Sequence, residues 1–244
     1  LNYQEAINNL SVSGMIINLP AIQLDRDIYL KVKKAMKIIG GKWKGGRTQG
    51  FVFSEDPTPY LTKLQAGEKV DLKKEFQFFE TPPKLADHIV NLAEIEPDMH
   101  ILEPSAGRGA IVDAIHRVNK DVVVHVAELM DVNIVALNKL KNIQLVGRNF
   151  MKDPINFYYD RVIANPPFAK NQDIDHILRM CERLRPGGRL VSIASLHWSF
   201  SKNRKETKFR DFLKDMDATV YQTKSGAFQT SGTMVSSSII VINI

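Results

Sequence analysis

Two short stretches of the chain combine residue types that can do chemistry together. The first is Glu103-Pro104-Ser105-Ala106-Gly107-Arg108-Gly109. Its glycines permit a tight turn and a close approach of the backbone to a ligand. A dinucleotide fingerprint would need a third glycine at position 112, where Val112 stands. An acidic Glu103 before the turn would also repel a pyrophosphate and suits a ligand carrying a positive ammonium group. Glu128, downstream, falls where a carboxylate can meet a ribose diol. The second stretch is Asn165-Pro166-Pro167-Phe168. Pro166 has a carbonyl but no amide N–H, and Asn165 adds a side-chain carbonyl. Two neighbouring acceptors can take both hydrogens of a planar amino group. Phe168 offers a face on which a flat base can stack.

Such residues need a scaffold, and the flanking pattern supplies one. Strands are expected at Ile101 to Glu103, Asp121 to Leu129, Ile143 to Val146, Arg161 to Ala164 and Arg189 to Ala194. Helices are expected at Ala110 to Val118, Val132 to Leu140 and Glu206 to Met216. A further helix carries the apolar stripe Ile174, Ile177, Leu178, Cys181 and Leu184, with Asp173 and Asp175 as caps and Pro186-Gly187-Gly188 as its stop. Val- and Ile-rich strands alternating with helices predict a parallel sheet covered on both faces. The last two strands, Ala218 to Thr223 and Val235 to Ile242, have no helix between them and should pair antiparallel. In such a sheet ligands bind beyond the carboxyl ends of the strands, where both stretches lie.

Together these residues resemble the class I S-adenosylmethionine-dependent methyltransferases that act on amines, and in motif order the gamma-type N6-adenine DNA methyltransferases. The resemblance spans residues 76–244 and includes Phe79-Glu80-Thr81-Pro82-Pro83, which is similar to their amino-terminal cofactor motif. It implies an α/β fold: a Rossmann-like seven-stranded methyltransferase sheet, mostly parallel with one antiparallel strand. It also implies S-adenosylmethionine as cofactor, with Glu103, Gly107 and Gly109 around its methionine part. Thr81 and Pro82 would close over it, and Glu128 would bind its ribose. The family usually has Asp-Phe after the third strand. Here Asn149-Phe150 stands there, so the contact to the cofactor adenine would lack charge assistance. Asn165, Pro166 and Phe168 would hold the reacting amine, and Phe228 the second face of the target base.

The rest of the chain bears on the partner. It has 244 residues, 44% hydrophobic and 25% charged, which is globular. The net charge is +6 and favours a polyanion. Between residues 23 and 47, Arg26, Lys31, Lys33, Lys34, Lys37, Lys42, Lys44 and Arg47 face only Asp25 and Asp27. Residues 1–75 therefore read as a small basic α+β accessory module. It has a helix capped by Asp27 and stopped by Gly40-Gly41, then a hairpin, in a winged-helix-like order. Lys42, Trp43 and Lys44 are its candidate nucleic-acid contacts. A second basic segment runs from Lys202 to Lys214, and His197-Trp198 is a candidate lining of the substrate cleft. The polar start, the lack of a membrane-length apolar run and the single Cys181 predict a cytoplasmic protein without disulfides. The histidines show no metal-ligand spacing, and Gly41 to Thr48 departs from a phosphate loop. The family's usual target-recognition domain would follow the last strand, where this chain ends. Specificity would then come from the basic module or from a separate recognition subunit. DNA adenine is the leading substrate. RNA adenine or guanine amines, protein glutamine, and a non-catalytic DNA-binding role stay open.

Overall fold

The structure, a computed structural model of the chain, describes residues 1–53, 56–68, 70, 80–223 and 236–244. Phe79 and Phe228 lie outside the described residues. The chain divides into two compact units, Leu1–Gln77 and Phe78–Ile244.

The first unit opens with a helix, Tyr3–Asn8, started by a reciprocal capping box: Glu5 N–H donates to Asn2 Oδ1 and Asn2 N–H to the Glu5 carboxylate, both at 2.9 Å. Strands Ser11–Ser13, Ile16–Asn18, Lys42–Lys44 and Gly50–Val52 form an antiparallel sheet in which Ile16–Asn18 and Gly50–Val52 are central. The expected hairpin is thus half of a four-stranded sheet, and its Lys42–Lys44 strand stands at the edge among the described residues. The helix Arg26–Ile38 buries Val32, Ala35 and Met36 while Lys31, Lys34 and Lys37 stay exposed. Asp25 stands at its N-cap position. Asp27 lies in the first turn, where a carboxylate meets the helix dipole without capping. Gly40, at φ +92°, ends this segment as expected.

The second unit is a three-layer α/β/α body. Its strands are β5 (Ile101–Glu103), β6 (Val124–Ala127), β7 (Ile143–Gly147), β8 (Tyr159–Ala164), β9 (Leu184–Ser195), β10 (Thr219–Gln222) and β11 (Ser237–Asn243), numbered after the four of the first unit. They lie in the order β10-β11-β9-β8-β5-β6-β7, with β11 alone running antiparallel to its neighbours. Alternate residues feed opposite cores, as a period of two demands. Ile163, Val191, Ile193, Ile239 and Val241 face helices Pro83–Ala93 and Ala110–Val118. Val162, Ala164, Leu190, Ala194, Ile240 and Ile242 face helices Gln172–Cys181 and Arg204–Asp215.

Several expectations need correction. Leu184 belongs to β9, not to the preceding helix, which ends at Cys181. Pro186-Gly187-Gly188 is no helix stop. Tyr159 faces Leu184 and Arg161 faces Arg189, so Arg185 to Gly188 bulge out opposite Asp160. Strand β6 is shorter than its apolar run at both ends, starting at Val124; at its carboxyl end Glu128 turns away and accepts from the Gly107 amide. Asp173 does not cap its helix. Its carboxylate crosses to the end of β9 and accepts from both the amide and the hydroxyl of Ser195, each at 2.8 Å. Asp175 pairs with Lys205 at 2.7 Å.

Helix Pro83–Ala93 starts beside the site, and two arginines hold its far end. Arg161 donates to the carbonyls of Ala93 and Glu94, and Arg189 to that of Leu92 at 3.0 Å. Cations on terminal carbonyls satisfy groups that the helix itself leaves unpaired. Replacing Arg161, which is 8% exposed, with Met should cost roughly 2–4 kcal/mol. The unfolding midpoint in urea would show it, and an unchanged midpoint would refute the clamp.

Candidate active site

Parallel sheets open a crevice where the strand order reverses, here between the ends of β5 and β8. Glu103 ends β5 and is 1% exposed. The chain turns through Gly107 and Gly109, both left-handed at φ +55° and +91°, and enters helix Ala110–Val118. The left-handed φ is what favours glycine at 109; a Cβ there would meet the side-chain ends of Leu140 and Leu137, which can shift. Glu128 lies just past β6 and is 7% exposed. Its Oε2 accepts from Gly107 N–H at 2.7 Å. Its Oε1 accepts from Met130 N–H at 2.8 Å and from Asn133 Nδ2 at 3.2 Å. The Leu129 amide also bears on this carboxylate, so its acceptor positions are largely engaged by the chain itself.

These carboxylates are costly to ionise. Burial pushes Glu103 well above the ordinary carboxylate range, the charge of Glu128 adds to this, and the Val112 amide at the helix start opposes it. Burial raises Glu128 also, against the bonds from Met130, Asn133 and Gly107. Glu103 Oε2 has no hydrogen-bond partner among the described residues. An orphaned oxygen in a buried acidic pocket fits an ammonium ligand, whose charge would lower the cost of ionisation.

Asn165 is the first residue beyond β8, at the other side of the crevice. Its Nδ2 donates to Thr81 Oγ1 at 3.0 Å, which joins the tetrapeptide to the residue before Pro82, the N-cap position of helix Pro83–Ala93. Since Nδ2 is held there, Oδ1 takes the opposite edge of the carboxamide. Pro166 is buried. Phe168 is half-buried and packs against the first core. The structure therefore brings Thr81, Pro82, Glu103, Gly107, Gly109, Glu128 and the tetrapeptide to one end of the sheet.

Two expected contacts look different in place. Asn149 Oδ1 accepts from Met151 N–H at 3.0 Å, closing a local turn, so only its second lone pair remains for a ligand. Asp153 braces the same loop through the amides of Arg148 and Asn149, at 2.6 and 2.8 Å. Those bonds hold its carboxyl below the ordinary range. Phe150 is 3% exposed in the second core, with the Arg179 guanidinium 5.5 Å above its ring. It supports the loop from beneath. Asn133, which orients Glu128, carried no signal in the sequence beyond its place just past that carboxylate. Trp198 is buried at 7% exposure, so of the His197-Trp198 pair only His197 faces outward. In the first unit Lys42, Trp43 and Lys44 are all exposed. Trp43 is braced edge-on by Phe51 and Tyr29 at 5.0 and 6.4 Å.

The buried acids make a pH prediction. Both chain states hold the Glu103 proton at low pH. As pH rises past 4.5, the unfolded chain ionises while the folded one stays protonated, so stability falls until the raised folded value is passed. Glu103→Gln should remove this part of the slope and make the ligand-free protein more stable than wild type at neutral pH. Melting curves taken upward from pH 4.5 test it; parallel curves for the two proteins would refute it.

Among the described residues no cluster of three or more His, Cys, Asp or Glu side chains could hold a metal, and no helix is long and apolar enough to cross a membrane. No family model and no curated protein matches the sequence. Solved structures do match the fold. The methyltransferase subunit of a type I restriction-modification system from Streptococcus thermophilus aligns with a TM-score of 0.58 at 16% identity, over 75% of this chain and 47% of that one. TrmN from Thermus thermophilus aligns at 0.50 and 18% identity, over 66% and 49%. A protein from Pyrococcus horikoshii provisionally assigned as an RNA methyltransferase aligns at 0.52 and 16%, over 69% and 88%. The chain thus spans about half the length of the first two. Sheet order, the single antiparallel strand and these likenesses together show that it carries the class I S-adenosylmethionine-dependent methyltransferase fold.

Proposed function

We propose that the chain transfers a methyl group from S-adenosylmethionine to an exocyclic amine, adenine N6 in DNA. The observation that carries this is one crevice with two kinds of acceptor: buried carboxylates on the β5–β6 side and the Asn165-Pro166 carbonyls at the end of β8. Glu103 would take the ammonium of the cofactor, Glu128 its ribose, and Thr81, Pro82, Gly107 and Gly109 its surroundings. The loop of Asn149 and Phe150 would border the cofactor adenine. When bound, the cofactor supplies a methyl made electrophilic by its sulfonium.

The remaining work falls to the chain's own groups. Asn165 Oδ1 and the Pro166 carbonyl accept the two amine hydrogens and aim the nitrogen lone pair. Thr81 fixes the Asn165 carboxamide so that this aim is set before substrate arrives. Phe168, and Phe228 from outside the described residues, would hold the faces of the base. A base in a duplex must be flipped out to reach them. No dedicated general base is required, since the proton can leave to water after transfer.

A net charge of +6 supports a nucleic-acid substrate, and the exposed Lys42-Trp43-Lys44 edge strand is the proposed phosphate contact of the amino-terminal unit. The likeness to a type I restriction-modification subunit favours DNA and a separate recognition subunit. RNA is the second reading, favoured by a likeness of similar quality to the Pyrococcus protein. The proposed setting is the cytoplasm, where the Cys181 thiol, pushed up to about 12 by burial, would stay unreactive.

Incubation of unmethylated genomic DNA with protein and S-adenosylmethionine should yield N6-methyladenine by nucleoside mass spectrometry. Asn165→Ala should lower transfer by about 100-fold or more while cofactor binding stays within a few fold. Undiminished transfer in that variant would sink the mechanism, and methylated RNA with unmodified DNA would move the substrate to RNA.

A further inference from the structure

The segment after β9 lies beside the tetrapeptide. Strands β8 and β9 run parallel with Ala164 opposite Ser192, and β9 ends at Ser195. One helical turn follows, His197–Phe200. Trp198 points inward and meets Phe209 edge-on at 5.5 Å. Phe200 points outward and is 69% exposed, more than any other large hydrophobic residue described. Its ring has one aromatic neighbour in the turn, His197, edge-on at 5.4 Å.

This turn is tied to its neighbours by hydrogen bonds to Glu206 and from Arg210. Glu206, 1% exposed, accepts through Oε1 from Ser201 Oγ at 3.1 Å, from Asn203 Nδ2 at 3.3 Å and from Asn171 Nδ2 at 2.9 Å. The same oxygen pairs with His197 Nε2 at 3.2 Å. Arg210 donates to the carbonyls of Trp198 and Ser201, which closes the end of the turn. Asn171 ends the short turn that begins just after Phe168, and its carbonyl accepts from Lys205 Nζ at 2.8 Å. One buried carboxylate therefore ties the loop after the tetrapeptide to the loop bearing Phe200.

The surroundings of Phe200 select its partner. Lys205 and Arg210 are engaged in the scaffold, whereas Lys202, Arg204 and Lys208 are exposed. An exposed aromatic face among cations is complementary to a polyanion that carries its own π-faces. We infer that Phe200, backed by His197, stacks on the DNA base flanking the methylated adenine, while Lys202, Arg204 and Lys208 take the adjacent phosphates. The inference rests on the proposed DNA reading, and names a contact for it outside the methyl-transfer site.

The test uses the full chain, a fluorescein-labelled adenine-containing DNA oligonucleotide, and two readouts: binding by anisotropy and methyl transfer to genomic DNA. Phe200→Ala should weaken DNA binding by roughly 5- to 150-fold, the range expected for loss of one stacked base. Its melting temperature should match wild type, because the ring is exposed. Phe200→Trp should restore binding. Replacing Lys202, Arg204 and Lys208 together with Ala should flatten the slope of log Kd against log salt by about 2 to 3. Unchanged DNA binding by Phe200→Ala, with wild type methylating DNA, overturns this inference alone. If wild type methylates RNA or protein and leaves DNA unmodified, the DNA reading falls and the inference with it.

Discussion

The site rests on the burial of two carboxylates at the ends of neighbouring parallel strands. Glu103 and Glu128 have lost most of their water, and desolvation is the leading cause of the upward shift in both. The surrounding chain is arranged around that cost. Gly107 adopts φ +55° and gives its amide to Glu128, and the first turn of helix Ala110–Val118 brings the Val112 amide to Glu103. Gly109 lets that helix start close against Leu137 and Leu140. A residue other than glycine at 109 would strain the left-handed turn from which that helix, and the amide that faces Glu103, begins. Backbone conformation, helix packing and the ionisation of a single acid are thus one coupled problem.

On the other side of the crevice the coupling runs through hydrogen bonds between distant segments. Asn165 is tied to Thr81, Asp173 to Ser195, and Asn171 to Glu206. Each bond joins residues from different elements at the carboxyl end of the sheet. The loops at the carboxyl end are therefore set by side-chain contacts, whereas the strands beneath are set by core packing.

This division explains what could be read in the sequence. Periodicity reports burial, so the strand-helix alternation and the antiparallel final pair were legible, as were Glu103, Glu128 and the tetrapeptide, which stand at strand ends. Long-range side-chain bonds leave no periodic trace. Asp173 in a first helical turn looks like a cap, and only its path to Ser195 distinguishes it. Asn149 closes a turn with Met151, which an Asx residue does anywhere, so its side chain could not be assigned to a ligand from spacing. Leu184 continued a helical stripe by coincidence, because the bulge at Arg185 to Gly188 lets β9 begin before its glycines. Trp198 and Phe200 are both large aromatics two positions apart; on a single helical turn they must point different ways, and the sequence does not say which one is inside.

The two sides of the crevice also differ in charge, which bears on how one site could serve two ligands of opposite sign. The β5–β6 side concentrates buried carboxylates. The outer rim past β9 exposes Lys202, Arg204 and Lys208. In water, charges further apart than a Debye length of about 8–10 Å scarcely feel one another, while those buried in a poorly polarisable interior do. The charges that act on Glu103 are those of Glu128 and Asp113, and no cation is among the causes of its shift. A cation of the chain placed at Glu103 would instead have satisfied its orphaned oxygen. Burial on one side and exposure on the other thus separate the two sets of charge, as the proposed pairing of a cationic cofactor with a polyanionic substrate would require.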